Sequence, residues 1–301
     1  MKIREILQAT RPCFSFEFFP PKTDDGVATL FETIATLQSL QPAFVSVTWG
    51  AGGSTRERTL ELVTRIKQET GLEAMAHFTC VGASRADLGN ALDRMVGIGI
   101  ENVLALRGDP PRGQTAFVPA PDGFSHSSEL AAFIRANYGD TFCIGGACYP
   151  EGHIESTDRE ADLQHTVEKV NAGVEFLITQ LFFDNAYYFD FVRRARLAGI
   201  TVPIIPGIMP ITNVEQIERF TRLCGASIPP LVQTELEHRR DQPEAVVEFG
   251  VAYASVQCAD LLARGAPGIH FYTLNKSLST RAILSTLRAF QPWPESPSFY
   301  S

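Results

Sequence analysis

Two hydrophobic rhythms alternate along the chain. Short runs rich in Val, Ile, Phe and Tyr read as strands: FSFEFF (14–19), FVSVT (44–48), EAMAHFT (73–79), NVLALR (102–107), FCIGGACY (142–149), EFLITQ (175–180), VPIIPG (202–207) and GIHFYT (268–273). Between them apolar residues recur at helical spacing. The segment 27–40 carries Val27, Leu30, Phe31, Ile34, Leu37 and Leu40, and further helices are expected at 55–69, 84–98, 126–137, 157–172, 186–198, 213–223 and 277–289. The segment 228–265 is longer than one crossover needs, which predicts an extra helix ahead of a long one at 243–264. Thr212 or Asn213 suits the N-cap of the helix after Pro210. Gly71, Gly99, Gly173, Gly199 and Gly265 each follow a helix, where a left-handed residue is wanted. The phrases GIGIENV, NAGVEF, LAGITV and ARGAPGI repeat one unit of helix end, turn and strand.

Eight such units predict an α/β fold, a closed parallel (βα)8 TIM barrel with an extra helical segment before the eighth strand. The expected division is one barrel domain at 1–290 and a Pro-rich, peripheral or disordered tail at 291–301. A doubly wound open sheet is the alternative, but no G-x-G-x-x-G follows the first strand.

Composition narrows the function. The 301 residues are 45% hydrophobic and 20% charged, an ordinary globular balance. A net charge of −8 argues against nucleic-acid or anionic-membrane partners, while leaving room for a local basic pocket. The six cysteines form no C-x-x-C pair and read as reduced thiols in a cytoplasmic protein. MKIREILQATRP mixes charges through its apolar run, unlike a signal peptide, and no stretch approaches the roughly 20 consecutive apolar residues of a membrane span.

In a barrel of this kind chemistry gathers at the C-terminal strand ends. Those ends carry Glu17, Thr48, His77, Arg107 with Asp109, Tyr149 with Glu151 and His153, Gln180, and Tyr272. The seventh ends in Pro206-Gly207, which suggests a close backbone approach to something. Strand alternation puts Phe14, Phe16 and Phe18 on one face and Ser15 and Glu17 on the other. With the phenylalanines against the outer helices, Glu17 and Thr48 point inward, and Glu17 in a partly dry mouth should have a raised pKa. Each residue also has a plainer explanation. Glu17 can be a structural carboxylate paired with an inward cation, His77 a satisfied core histidine, LRGDPP a type I turn, and YPEGH an ordinary loop. His77, Cys80, Cys148, Glu151, His153 and His270 are of metal-ligating type, but the short spacings H-x-H, H-E-x-x-H and C-x-x-C are missing, so no metal is expected. Neither a G-x-S-x-G elbow nor a Walker-type phosphate loop occurs.

FSFEFFPPK, FVSVTWGAGGSTRERT, AHFTC, LALRGDPP, YPEGH, ITQLFFDN, PIIPGIMPITN and HFYTLNKS, in this order, resemble the methylenetetrahydrofolate reductases from about residue 11 to 289. The resemblance implies a barrel holding FAD noncovalently. It implies reduction of 5,10-methylenetetrahydrofolate to 5-methyltetrahydrofolate by NADH or NADPH, in ping-pong fashion, for methionine synthesis. Glu17 then matches the general acid that protonates a folate ring nitrogen. Asp109 matches the aspartate that sits by the pterin and flavin and stabilises the cationic iminium. Gln180, Gln216, Phe220 and Tyr272 match substrate contacts. Thr48, His77, Arg107, Gly108, Asp109, Tyr149, His153, Asp162 and Lys169 match cofactor contacts, with Arg107 and Lys169 supplying positive charge to the pyrophosphate.

The chain departs from the pattern at His126, where many relatives have Tyr, and at His165 and Glu168, where some have Asn and Arg. Val214 and the segment 228–240 also differ. No C-terminal regulatory domain follows the barrel, so inhibition by S-adenosylmethionine is not expected. NADH is the expected donor for a short bacterial-type chain, and a homo-oligomer the expected assembly. Two rival functions are a flavin- or folate-binding subunit fed by a partner protein, and a metal- or corrinoid-linked barrel methyltransferase.

Overall fold

The computed structural model describes residues 1–49, 55–110, 113, 117–156 and 158–294. Residues 50–54 of the second motif, Pro111, Thr157 at the expected start of a helix, and the tail from 295 onward lie outside the described residues.

The strands are β1 (Cys13–Phe18), β2 (Phe44–Val47), β3 (Ala74–Thr79), β4 (Asn102–Leu106), β5 (Cys143–Cys148), β6 (Phe176–Thr179), β7 (Ile204–Ile205), β8 (Gly207–Ile208) and β9 (Gly268–Tyr272). All their pairings are parallel, in the order β7-β6-β5-β4-β3-β2-β1-β9-β8. β7 and β8 are two halves of the predicted seventh strand, which the sequence pattern treats as continuous. Pro206 interrupts it, having no N–H to donate to a ladder. One half pairs with β6 and the other with β9, so the barrel closes through the break. The Pro206 carbonyl still accepts from His270 N at 2.9 Å.

The helices are α1 (Ile3–Ala9), α2 (Asp24–Gln38), α3 (Arg56–Thr70), α4 (Arg85–Gly97), α5 (Ser127–Tyr138), α6 (Arg159–Asn171), α7 (Asn185–Leu197), α8 (Val214–Cys224), α9 (Pro230–His238), α10 (Pro243–Ala263) and α11 (Leu278–Phe290). α9 is the extra helix that the long segment before the eighth barrel strand predicts. α1 was not foreseen. It buries Ile3, Ile6 and Leu7 against Cys13, Phe44, Met75, Leu104 and Phe176, plugging the end of the barrel opposite the strand C-termini. Ile3 N donates to Asn102 Oδ1 at 2.8 Å, which fixes the plug to the start of β4.

Phe14, Phe16 and Phe18 pack outward with Val27, Leu30 and Ile34 of α2, as alternation requires. A smaller cluster joins Met209, Ile211, Val214, Ile217, Val232, Leu236 and Val246, and seats α8, α9 and α10 on the rim. Of the helices among the described residues, α10 alone is long and apolar enough to cross a membrane. Here it lies against the barrel, where Gly250 faces the Ile211 carbonyl so closely that an added Cβ would come within 1.8 Å of the oxygen.

Candidate active site

Every predicted site residue except Gln216 lines one cavity of about 980 Å³, at the upper end of the roughly 300–1,000 Å³ usual for ligand clefts. The lining holds Glu17, Thr48, His77, Arg107, Gly108, Asp109, Tyr149, His153, Asp162, Lys169, Gln180, Phe220 and Tyr272. Gln216 lies one helical turn before Phe220 on α8 and outside the lining.

Glu17, near the end of β1, is 6% exposed. Its Oε2 is 3.1 Å from His77 Nε2 and 3.5 Å from His270 Nε2. Neither nitrogen is aligned for a hydrogen bond, so the attraction is mainly electrostatic. His270 is fully buried, with Nδ1 2.7 Å from Ser15 Oγ. Nε2 of His270 thus faces the carboxylate while Nδ1 is bonded to the serine.

This arrangement reverses the expected direction for Glu17. Burial pushes its pKa up, but His77 and His270 outweigh burial and hold it at about 2. Alternation along β1 shows that Glu17 points inward. It does not show that inward residues of β3 and β9 meet it there.

The neighbouring strand ends form a second group. Gly108 takes φ 88°, and an added Cβ would come within 2.7 Å of Val81 Cγ1. This turn carries Arg107 and exposed Asp109 to the cavity. Asp162 and Lys169 lie two turns apart on one face of α6. Lys169 Nζ donates to the Ala147 carbonyl at 2.9 Å and lies 5.5 Å from the Tyr149 ring centre. Burial lowers the Lys169 pKa and raises that of Asp162. Tyr149 meets His153 edge-on at 4.6 Å. Burial, then the Arg107 charge, lowers the His153 pKa.

Arg107 is not a free cation. Its two terminal nitrogens hold Glu155 at 2.6 and 2.9 Å, a partner the sequence reading did not anticipate. His126 stacks on His165 at 5.5 Å beside the same cavity, and His165 lies 3.1 Å from Glu168. Thr79 and Trp49 line the cavity, and their Oγ1 and Nε1 atoms are buried without a hydrogen-bond partner among the described residues. They are groups a bound molecule can satisfy. Among the described residues, no three His, Cys, Asp or Glu side chains are arranged to hold a metal ion.

Pro206-Gly207 approaches protein, not open cavity. A Cβ at Gly207 would stand 2.4 Å from the Thr179 carbonyl and 2.6 Å from the Tyr272 hydroxyl. Tyr272 in turn donates to that carbonyl at 2.6 Å, which fixes its ring at the cavity wall. Sequence reasoning missed Ser15 and Glu155 as site residues and considered His270 only as a metal ligand. The period-two spacing of His270 and Tyr272 on β9 is the one signal that could have brought His270 in.

A family model described as methylenetetrahydrofolate reductase matches residues 2–288. The chain is 41% identical over 295 residues to "Methylenetetrahydrofolate reductase (NADH) 1" of Arabidopsis thaliana, covering 95% of this chain and 50% of the plant protein. It is 38% identical over 273 residues to "5,10-methylenetetrahydrofolate reductase" of Pectobacterium carotovorum subsp. carotovorum, covering 91% of this chain and 89% of that one. The chain thus spans about half the length of the plant relatives it matches and most of the bacterial one. A solved Clostridium thermocellum protein, described as binding two copies of 5-methyl-5,6,7,8-tetrahydrofolic acid, shares the fold at TM-score 0.61 and 15% identity, over 97% of this chain and 99% of that one.

Proposed function

The chain belongs to the methylenetetrahydrofolate reductase family, and from that premise we propose that it reduces 5,10-methylenetetrahydrofolate to 5-methyltetrahydrofolate. The donor is a reduced nicotinamide, NADH in preference to NADPH, and the exchange is ping-pong through noncovalently bound FAD. The product supplies methyl groups for methionine synthesis, and the enzyme works in the cytoplasm. The proposed assembly is a homo-oligomer.

The observation that carries this reading is the buried Glu17, beside His77 and His270, in a cavity that also holds Arg107, His153 and Lys169. The residues suit FAD. Arg107, His153 and Lys169, which suit a diphosphate, lie together on the β4, β5 and α6 side of the cavity. Thr48, His77, Arg107, Gly108, Asp109, Tyr149, His153, Asp162 and Lys169 would hold it. Bound there, FAD would supply the hydride exchange between the nicotinamide and the folate.

The protein's own part is placement and proton management. Glu17 gives a proton to the folate ring nitrogen, which opens the five-membered ring to an iminium. With its carboxyl held ionised by His77 and His270, Glu17 must take up a proton before it can donate one. Asp109 offers negative charge to the cation formed on ring opening. Phe220, Tyr272 and Gln180 orient the rings of the two substrates in turn.

Glu17→Gln tests the assignment. The variant should still be reduced by nicotinamide but lose reoxidation by the folate. Equal loss in both half-reactions would contradict the proton-donor role.

A further inference from the structure

Two sides of the cavity meet through one carboxylate. On one side, the loop after β5 brings Tyr149 and His153 to the lining. On the other, α8 brings Phe220 and Leu223. α8 is seated by Val214, Ile217 and the partly buried Phe220 and Cys224 on the rim cluster, and its Glu218 accepts from Arg240 at 2.5 Å. Its first turn is capped by Asn213 Oδ1, which accepts from Gln216 N at 2.7 Å. At its other end Gly225, at φ 76°, turns the chain toward the β5 loop. There the Ser227 backbone N–H lies 3.1 Å from both Glu151 carboxylate oxygens, and the Ser227 hydroxyl donates to Oε2. The Glu151 side is itself braced, because Arg159 Nε donates to the Glu151 carbonyl at 3.3 Å and Gly152 N to the Tyr149 carbonyl at 3.0 Å.

We propose that Glu151 and Ser227 form a clamp that positions α8 over the cavity, making them positioning residues for substrate binding at Phe220. The inference rests on the functional reading above. A half-buried carboxylate accepting from an N–H and an O–H of one residue is a stronger tie than a neutral pair. Its loss loosens the C-terminal end of α8, while the Arg159–Glu151 and Gly152–Tyr149 bonds to backbone carbonyls still hold the loop that carries Tyr149 and His153. Substrate affinity should therefore fall while flavin affinity holds.

The test uses the full chain loaded with FAD and the variants Glu151→Ala, Ser227→Ala and Glu151→Gln. Stopped-flow half-reactions across a range of NADH and methylenetetrahydrofolate concentrations separate apparent Kd from limiting rate. Glu151→Ala should raise Kd for the folate about tenfold, and Ser227→Ala, which keeps the backbone N–H contacts and loses only the hydroxyl, by a smaller factor, with limiting rates and FAD affinity within about twofold of wild type. Glu151→Gln keeps an acceptor oxygen for Ser227 N–H and should recover most of the affinity. Hydrogen exchange at the α8 amides, measured without any ligand, should quicken in Glu151→Ala. Unchanged folate Kd together with unchanged α8 exchange would overturn the clamp, as would a parallel loss of FAD affinity. Wild-type protein that takes up no flavin would instead defeat the proposed function, and the ligand-free exchange comparison would still decide the clamp.

Discussion

Replacing Glu17 by Gln removes one charge while keeping nearly the same shape, so it isolates the electrostatics of the buried cluster. In the folded protein the carboxyl falls from its ordinary 4.5 to about 2, with burial opposing the fall and His77 and His270 driving it. At 1.36 kcal/mol per pH unit that difference is worth about 3 kcal/mol, as an order of magnitude. The folded value is the depressed one, so the native state prefers the ionised carboxylate. This contribution is present above about pH 4.5 and is lost as pH falls through about 2. Gln lacks the contribution at every pH. Urea unfolding of both proteins, followed by far-ultraviolet circular dichroism at a series of pH values, measures the gap. Wild type should be more stable by about 3 kcal/mol near pH 5, with the gap narrowing steadily toward pH 2. Equal stability near pH 5, or a gap that stays constant on acidification, would refute the reasoning.

Gly207→Ala places a methyl against the Thr179 carbonyl and Tyr272 hydroxyl, both nearer than 3 Å; it should destabilise the fold by about 1–3 kcal/mol, and a melting temperature equal to wild type would contradict the packing. Arg107→Gln should weaken FAD about tenfold and flatten the dependence of its affinity on salt, which flavin-fluorescence titration at two ionic strengths checks. Asp109→Asn should slow the folate half-reaction more than the nicotinamide half-reaction, and an unchanged folate rate in stopped flow would count against its proposed role.

The fold was legible because each βα unit is written locally. Phe14, Phe16 and Phe18 alternate with Ser15 and Glu17, and that alternation is the face assignment found in the barrel. α1 escaped notice because its three apolar positions, Ile3, Ile6 and Leu7, are too few to establish a period, and they are buried only by the barrel end they close. Pro206 was visible in the sequence, but its effect of splitting a strand at the barrel seam depends on both neighbouring strands. The candidate site follows the same division. Strand ends named Glu17, Thr48, His77, Arg107, Asp109, Tyr149, His153, Gln180 and Tyr272, while Gly108, Asp162, Lys169 and Phe220 came only from the family resemblance. Which groups pair is a property of closure: Glu17 with His77 and His270, Arg107 with Glu155, and Glu151 with Ser227, 76 residues away. The expected rise in the Glu17 pKa failed for that reason, since its own strand contains nothing to lower it.

Anaerobic absorbance spectroscopy of the purified protein, supplied with FAD, tests the central claim most directly. A flavin band should appear, bleach on addition of NADH, and return on addition of methylenetetrahydrofolate with 5-methyltetrahydrofolate formed in step. A bound flavin that NADH and NADPH both leave oxidised, or a reduced flavin that the folate does not reoxidise, would contradict the proposed reaction.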